Sequence, residues 1–69
     1  AMKTIAEIAD EYAANVESMK RQRAALYERM QAEPQAEVRF RLYRSINSIS
    51  KAIGDSQYAI AVMRGDIRG

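Results

Sequence analysis

The stretch Gln31-Ala32-Glu33-Pro34-Gln35 lies at the middle of the 69-residue chain and contains its only proline. Proline disfavours helical geometry in the residue before it and lacks the N–H that an interior helical turn needs. It suits the first position of a new helix. Because apolar residues recur at helical spacing on both sides of this stretch, we predict a helical hairpin whose bend is residues 33–35.

The segment before the bend predicts one amphipathic helix over about residues 4–32. Thr4 is a suitable N-cap, and Glu7 three residues later gives the pattern of a capping box. The apolar positions then alternate at spacings of four and three residues, as in the seam of a coiled coil. This first seam consists of Ile5, Ala9, Tyr12, Val16, Met19, Arg23, Leu26 and Met30.

The segment after the bend predicts a second helix over about residues 35–64, followed by a frayed tail at 65–69. The alternation of the first seam does not continue across Pro34, since Phe40 is the only apolar residue among the next six positions. The second helix therefore has a seam of its own: Val38, Leu42, Ile46, Ile49, Ile53, Ser56, Ile60, Met63 and Ile67.

Folding the chain back about Pro34 aligns the two seams. It pairs Met30 with Val38, Leu26 with Leu42, Met19 with Ile49, Val16 with Ile53, and Tyr12 with Ser56. The last pair sets a large side chain against a small one, as interdigitating layers prefer. We predict a single all-α domain over residues 1–69, an antiparallel and coiled-coil-like two-helix hairpin.

A break at Gly54-Asp55 is the alternative architecture. Gly54 could end the second helix and Asp55 could cap a short third one, which would give a three-helix bundle. The second seam nevertheless stays in phase from Ile53 through Ser56 to Ile60, and this favours a continuous helix.

The composition argues against an enzyme. The chain has no cysteine and no histidine, which removes thiolate metal sites, the commonest general base and the commonest metal ligand. It also has no glycine-rich phosphate loop. We therefore predict a non-catalytic protein without a cofactor. A chain this short buries little surface and usually needs a partner for stability, so self-association is expected.

A second set of apolar residues lies on the second helix, away from its seam: Phe40, Tyr43, Tyr58, Ala61 and Val62. This set is called the aromatic strip below. A two-helix hairpin needs only one apolar face on each helix. The surplus face predicts a homodimer, with two hairpins forming a four-helix bundle. The alternative interpretation is scattered surface aromatics, which are normal on proteins.

Arg23 interrupts the first seam with a charge. One interpretation is a polar residue that fixes register or oligomeric state. The other is a side chain at the edge of the seam whose stem packs while its guanidinium reaches water or stacks on Tyr27.

Positive charge is concentrated around the bend. Residues 18–51 hold eight basic and three acidic residues, whereas residues 1–17 hold one basic and four acidic ones. This pattern gives an alternative function, a small basic regulator that binds nucleic acid. Its candidate phosphate contacts are Lys20, Arg21, Arg39, Arg41 and Arg44. A net charge of only +2 and the lack of a helix-turn-helix pattern argue for an ordinary solvated surface instead.

The start of the chain leads directly into the amphipathic pattern, without the features of a signal peptide. No apolar run approaches the length of a membrane span. We therefore expect a cytoplasmic location and no membrane association. The function most consistent with the residues is a self-associating interaction or adaptor module.

Overall fold

A computed structural model describes residues 2–66, in which two helices pack against each other. Helix α1 spans Ile5–Ala32 and helix α2 spans Ala36–Met63. The hairpin is elongated, with overall dimensions of 49 × 25 × 15 Å. No strand is present within residues 2–66. The prediction of an all-α two-helix hairpin is confirmed.

Helix α1 begins at the predicted cap. The Thr4 Oγ1 atom accepts a hydrogen bond of 3.1 Å from the Glu7 backbone N–H. The Thr4 hydroxyl also lies 3.3 Å from the Glu7 carboxylate, to which it donates. These two bonds satisfy one of the free N–H groups at the helix start and hold a negative charge near the positive end of the helix dipole.

The bend is held by hydrogen bonds within the chain. Glu33 and Gln35 are extended, and the Arg39 guanidinium donates to the carbonyl oxygens of Glu33 and Pro34 at 2.9 and 2.8 Å. The Gln35 N–H donates to the Glu33 carboxylate at 3.0 Å. Because Gln35 is the N-cap of α2, Pro34 precedes the cap and does not occupy the first helical position that its sequence suggested.

Helix α2 passes through Gly54 without a break, so the three-helix alternative is wrong. The seam explains this result, since Ile53 and Ile60 are both buried and keep one apolar face across the glycine. The helix ends at Met63, and Gly65, two residues later, has a φ of 80°. The Gly65 N–H donates to the Val62 carbonyl and the Asp66 N–H to the Ala61 carbonyl, which is a Schellman motif.

The predicted tail at 65–69 thus begins with two residues that close the end of α2. Residues 67–69, including the predicted seam residue Ile67, lie outside the described residues.

Within residues 2–66, the buried core consists of seam residues only. The buried apolar side chains are Ala9, Val16, Leu42, Ile46, Ile53 and Ile60. Val16 and Ile53 belong to one cluster, against which Met19 and Ile49 pack, as the predicted pairing requires. Two residues of the first seam differ from the expectation: Ile5 and Tyr12 are exposed.

A conservative truncation tests this core. We expect Ile46→Val to lower the free energy of unfolding by about 1 kcal/mol, because Ile46 is 2% exposed and loses a buried methyl group. Ile5→Val is the matched control, since Ile5 is 62% exposed and should change stability by less than about 0.5 kcal/mol. Urea unfolding followed by circular dichroism measures both, and equal effects would contradict this packing.

Candidate interaction surface

The aromatic strip lies on the exposed side of α2. Phe40, Tyr43 and Tyr58 are 60%, 50% and 54% exposed, Val62 is exposed, and Ala61 is half-buried. At 3.6 residues per turn, the strip is centred about 130° around the helix from the seam. Helix α1 therefore covers the seam and leaves the strip uncovered.

Gly54 lies in the middle of the strip and leaves a notch in it. A Cβ atom built at this position would meet nothing within 4 Å, and Gly54 has no positive φ. Neither packing within the hairpin nor backbone conformation therefore requires a glycine here. A glycine in a helix interior costs about 1 kcal/mol relative to alanine, so this residue weakens α2 without a local reason.

Charged groups follow one edge of the strip. Lys51 and Asp55 form an ion pair of 3.2 Å, and their side chains are 80% and 72% exposed. Arg44 lies on the same edge one turn from Phe40 and is exposed. It has no ion-pair partner within residues 2–66.

Arg23 joins the two helices. Its side chain is half-buried, and its Nη1 atom donates a hydrogen bond of 3.2 Å to Ser50 Oγ on α2. Among the described residues, no buried side-chain nitrogen or oxygen lacks a hydrogen-bond partner. The guanidinium thus reaches the edge of the interface and bonds a hydroxyl there, while its stem covers the seam.

The five basic residues predicted for phosphate binding make different contacts in the structure. Arg39 holds the carbonyl oxygens of the bend, and Lys20 lies 3.7 Å from the Glu17 carboxylate. Arg21 and Arg41 are exposed and, like Arg44, have no ion-pair partner in the described part of the chain.

Sequence reasoning missed two features of the hairpin's open end. Arg64, just after α2, forms an ion pair of 3.1 Å with Asp10 of α1. An open groove of about 520 Å³ lies between the helices and is lined by Tyr12, Asn15, Ser18, Met19 and Ser56. The pairing of Tyr12 with Ser56 brings both to this groove, but Tyr12 stays 41% exposed and does not fill it.

Within residues 2–66, no group of three or more acidic side chains could hold a metal ion. Neither of the two described helices is long and apolar enough to cross a bilayer. A comparison of the chain with protein-family models, curated proteins and solved structures gives no match.

The role of Arg23 is tested by Arg23→Leu. We expect the stoichiometry to be unchanged and the thermal midpoint to be equal or higher, because an apolar side chain fills the seam without a polar group to desolvate. Ser50→Ala, which removes only the acceptor hydroxyl, is the control. Light scattering and thermal unfolding measure the two properties. A change in stoichiometry for Arg23→Leu alone would instead assign the residue a role in specificity.

Proposed function

We propose that this protein is a non-catalytic interaction or adaptor module that acts as a homodimer of helical hairpins. The observation that carries the proposal is the aromatic strip, where three aromatic side chains at least half exposed lie on a helix face that α1 does not cover. Aromatic residues are the side chains most often found as anchors of protein interfaces. Two strips packed together would give a homodimer of four helices.

The exposed area of the chain supports this proposal. The hairpin exposes 5350 Å², whereas a compact monomer of 7.8 kDa exposes about 4,400 Å². The excess of about 1,000 Å² is close to the roughly 800 Å² that each partner buries in a standard interface. A homodimer would therefore bring the exposed surface per chain to the value expected for a folded protein of this size.

The small core supports the same proposal. The six buried side chains of the described region lie in one row between two helices, and two of them are the small residues Ala9 and Val16. Small domains with so little buried apolar surface usually depend on a disulfide, a metal or a partner. Cysteine is absent from the chain, which leaves a partner as the direct means of adding buried surface.

Light scattering coupled to size-exclusion chromatography tests the homodimer. We expect a mass of two chains for the wild type. Tyr58→Ser should weaken the dimer by about tenfold or more, because it removes an anchor from each of the two strips. Tyr27→Ser is the matched control, since Tyr27 has similar exposure but lies on α1, outside the strip. A thermostable wild-type monomer would refute the proposal.

Binding of nucleic acid at the bend end is a second candidate function. It is favoured by the exposed guanidinium groups of Arg21, Arg41 and Arg44, which form no ion pair with another residue of 2–66, and weakened because Arg39 binds the carbonyl oxygens of the bend. We expect no retention of duplex DNA or single-stranded RNA at low salt in a gel-shift assay. Retention that falls steeply with salt and is lost in Arg21→Glu/Arg41→Glu would support this candidate instead.

A further inference from the structure

We infer that the second copy of the chain binds the aromatic strip in an antiparallel orientation, α2 against α2, about a two-fold axis between Ser50 and Lys51. This inference rests on the proposed homodimer and specifies its geometry. Three observations support it: the spacing of the strip residues about this axis, the notch at Gly54 and the charges at the edge of the strip.

Four of the five residues of the strip are symmetric about that axis. Phe40 and Ala61 are equally far from it, and so are Tyr43 and Tyr58. In a two-fold interface, the same patch of both chains is used and residue i meets residue j in both directions. Each Phe40 would thus pack on a partner's Ala61, a large side chain on a small one, and each Tyr43 on a partner's Tyr58, an aromatic pair.

The notch at Gly54 has a partner in the same arrangement. Asn47 lies on the strip as far from the axis on one side as Gly54 does on the other. The Asn47 side chain of one copy would therefore enter the open space where Gly54 lacks a Cβ. This gives Gly54 the function that the isolated hairpin does not provide. A parallel pair would set Gly54 against Gly54 and leave the notch empty.

The charges at the edge favour the antiparallel orientation as well. When two helices pair about this axis, the edge of one strip meets the same edge of the other. Arg44 and Asp55 both lie on this edge, and their distances from the axis differ by only about 3 Å along the helix. Each exposed Arg44 would reach the partner's Asp55. In a parallel pair, the two-fold axis runs along the helices and places the two charged edges on opposite sides of the interface, so Arg44 would not meet the partner's Asp55.

Lys51 lies next to the axis, so the Lys51 residues of the two copies face each other. Its ion pair with Asp55 places a carboxylate beside each of the two amines. Along the shared edge, each Arg44 lies beside the partner's Asp55, and the two Lys51 amines lie next to each other at the axis, each beside the Asp55 of its own chain.

This geometry also fixes the order of the helices. In a closed four-helix bundle, each helix contacts its two neighbours about 90° apart, whereas the seam and the strip of α2 are about 130° apart. The dimer is therefore a curved layer with both α2 helices in the middle and both α1 helices outside.

Disulfide trapping tests the orientation, because the native chain contains no cysteine. Asn47→Cys and Gly54→Cys are prepared as separate chains and oxidised alone and as an equimolar mixture. We expect a covalent dimer in the mixture and little in either variant alone. Covalent dimers of the single variants would indicate a parallel pair and overturn the inference. So would the absence of trapping in variants that scatter light as dimers.

An exchange of charges tests the same geometry without altering the notch. Arg44→Glu and Asp55→Arg should each weaken the dimer by about fivefold or more at low salt, and the equimolar mixture should recover wild-type affinity. The recovery cannot arise within one chain, since the two positions are about 16 Å apart on one helix. A mixture as weak as the single variants would overturn the inference. A monomeric wild type would refute the homodimer itself.

Discussion

The reversal of the chain at residues 33–35 is the constraint on which every contact between the helices depends. The Arg39 guanidinium binds the carbonyl oxygens of Glu33 and Pro34, and the Glu33 carboxylate binds the N–H of Gln35. With the bend fixed, the number of residues between a side chain and the bend decides what it faces. Val16 therefore shares a cluster with Ile53, and Asp10 at the far end reaches Arg64.

This constraint also explains why one apolar face of α2 is buried and the other is exposed. A single partner helix can cover one face of α2, and that face is occupied by Leu42, Ile46, Ile53 and Ile60. The aromatic residues on the other face then stay at least half exposed. Surplus apolar surface is thus a consequence of a two-helix fold with two apolar faces on one helix, and the proposed dimer would cover it.

The fold also decides which of the basic side chains around the bend are occupied by contacts within the chain. Five basic side chains lie within residues 20–44 on the two helices, but the fold gives them different environments. Arg39 binds the carbonyl oxygens of the bend, Lys20 lies near Glu17, and Arg44 lies at the edge of the strip. Charge counted along a sequence describes the average field of the molecule. Which of those charges is free to bind a ligand depends on the carbonyl and carboxylate groups that the fold brings near.

The sequence by itself determined the helices, the bend and the row of core residues, because helical periodicity and the proline are local properties that one chain segment expresses alone. The cap at Thr4 is of the same kind. Gly54 left two architectures open in the sequence, and in the structure α2 is continuous through it, with Ile53 and Ile60 buried on one face on either side.

The tertiary structure alone decided the bonds between residues that are distant along the chain. The hydrogen bond from Arg23 to Ser50, the ion pair of Asp10 with Arg64 and the groove beside Tyr12 all depend on the separation and rotation of the two helices. These quantities arise from the sum of many side-chain contacts across the interface, and no local pattern of residues encodes them.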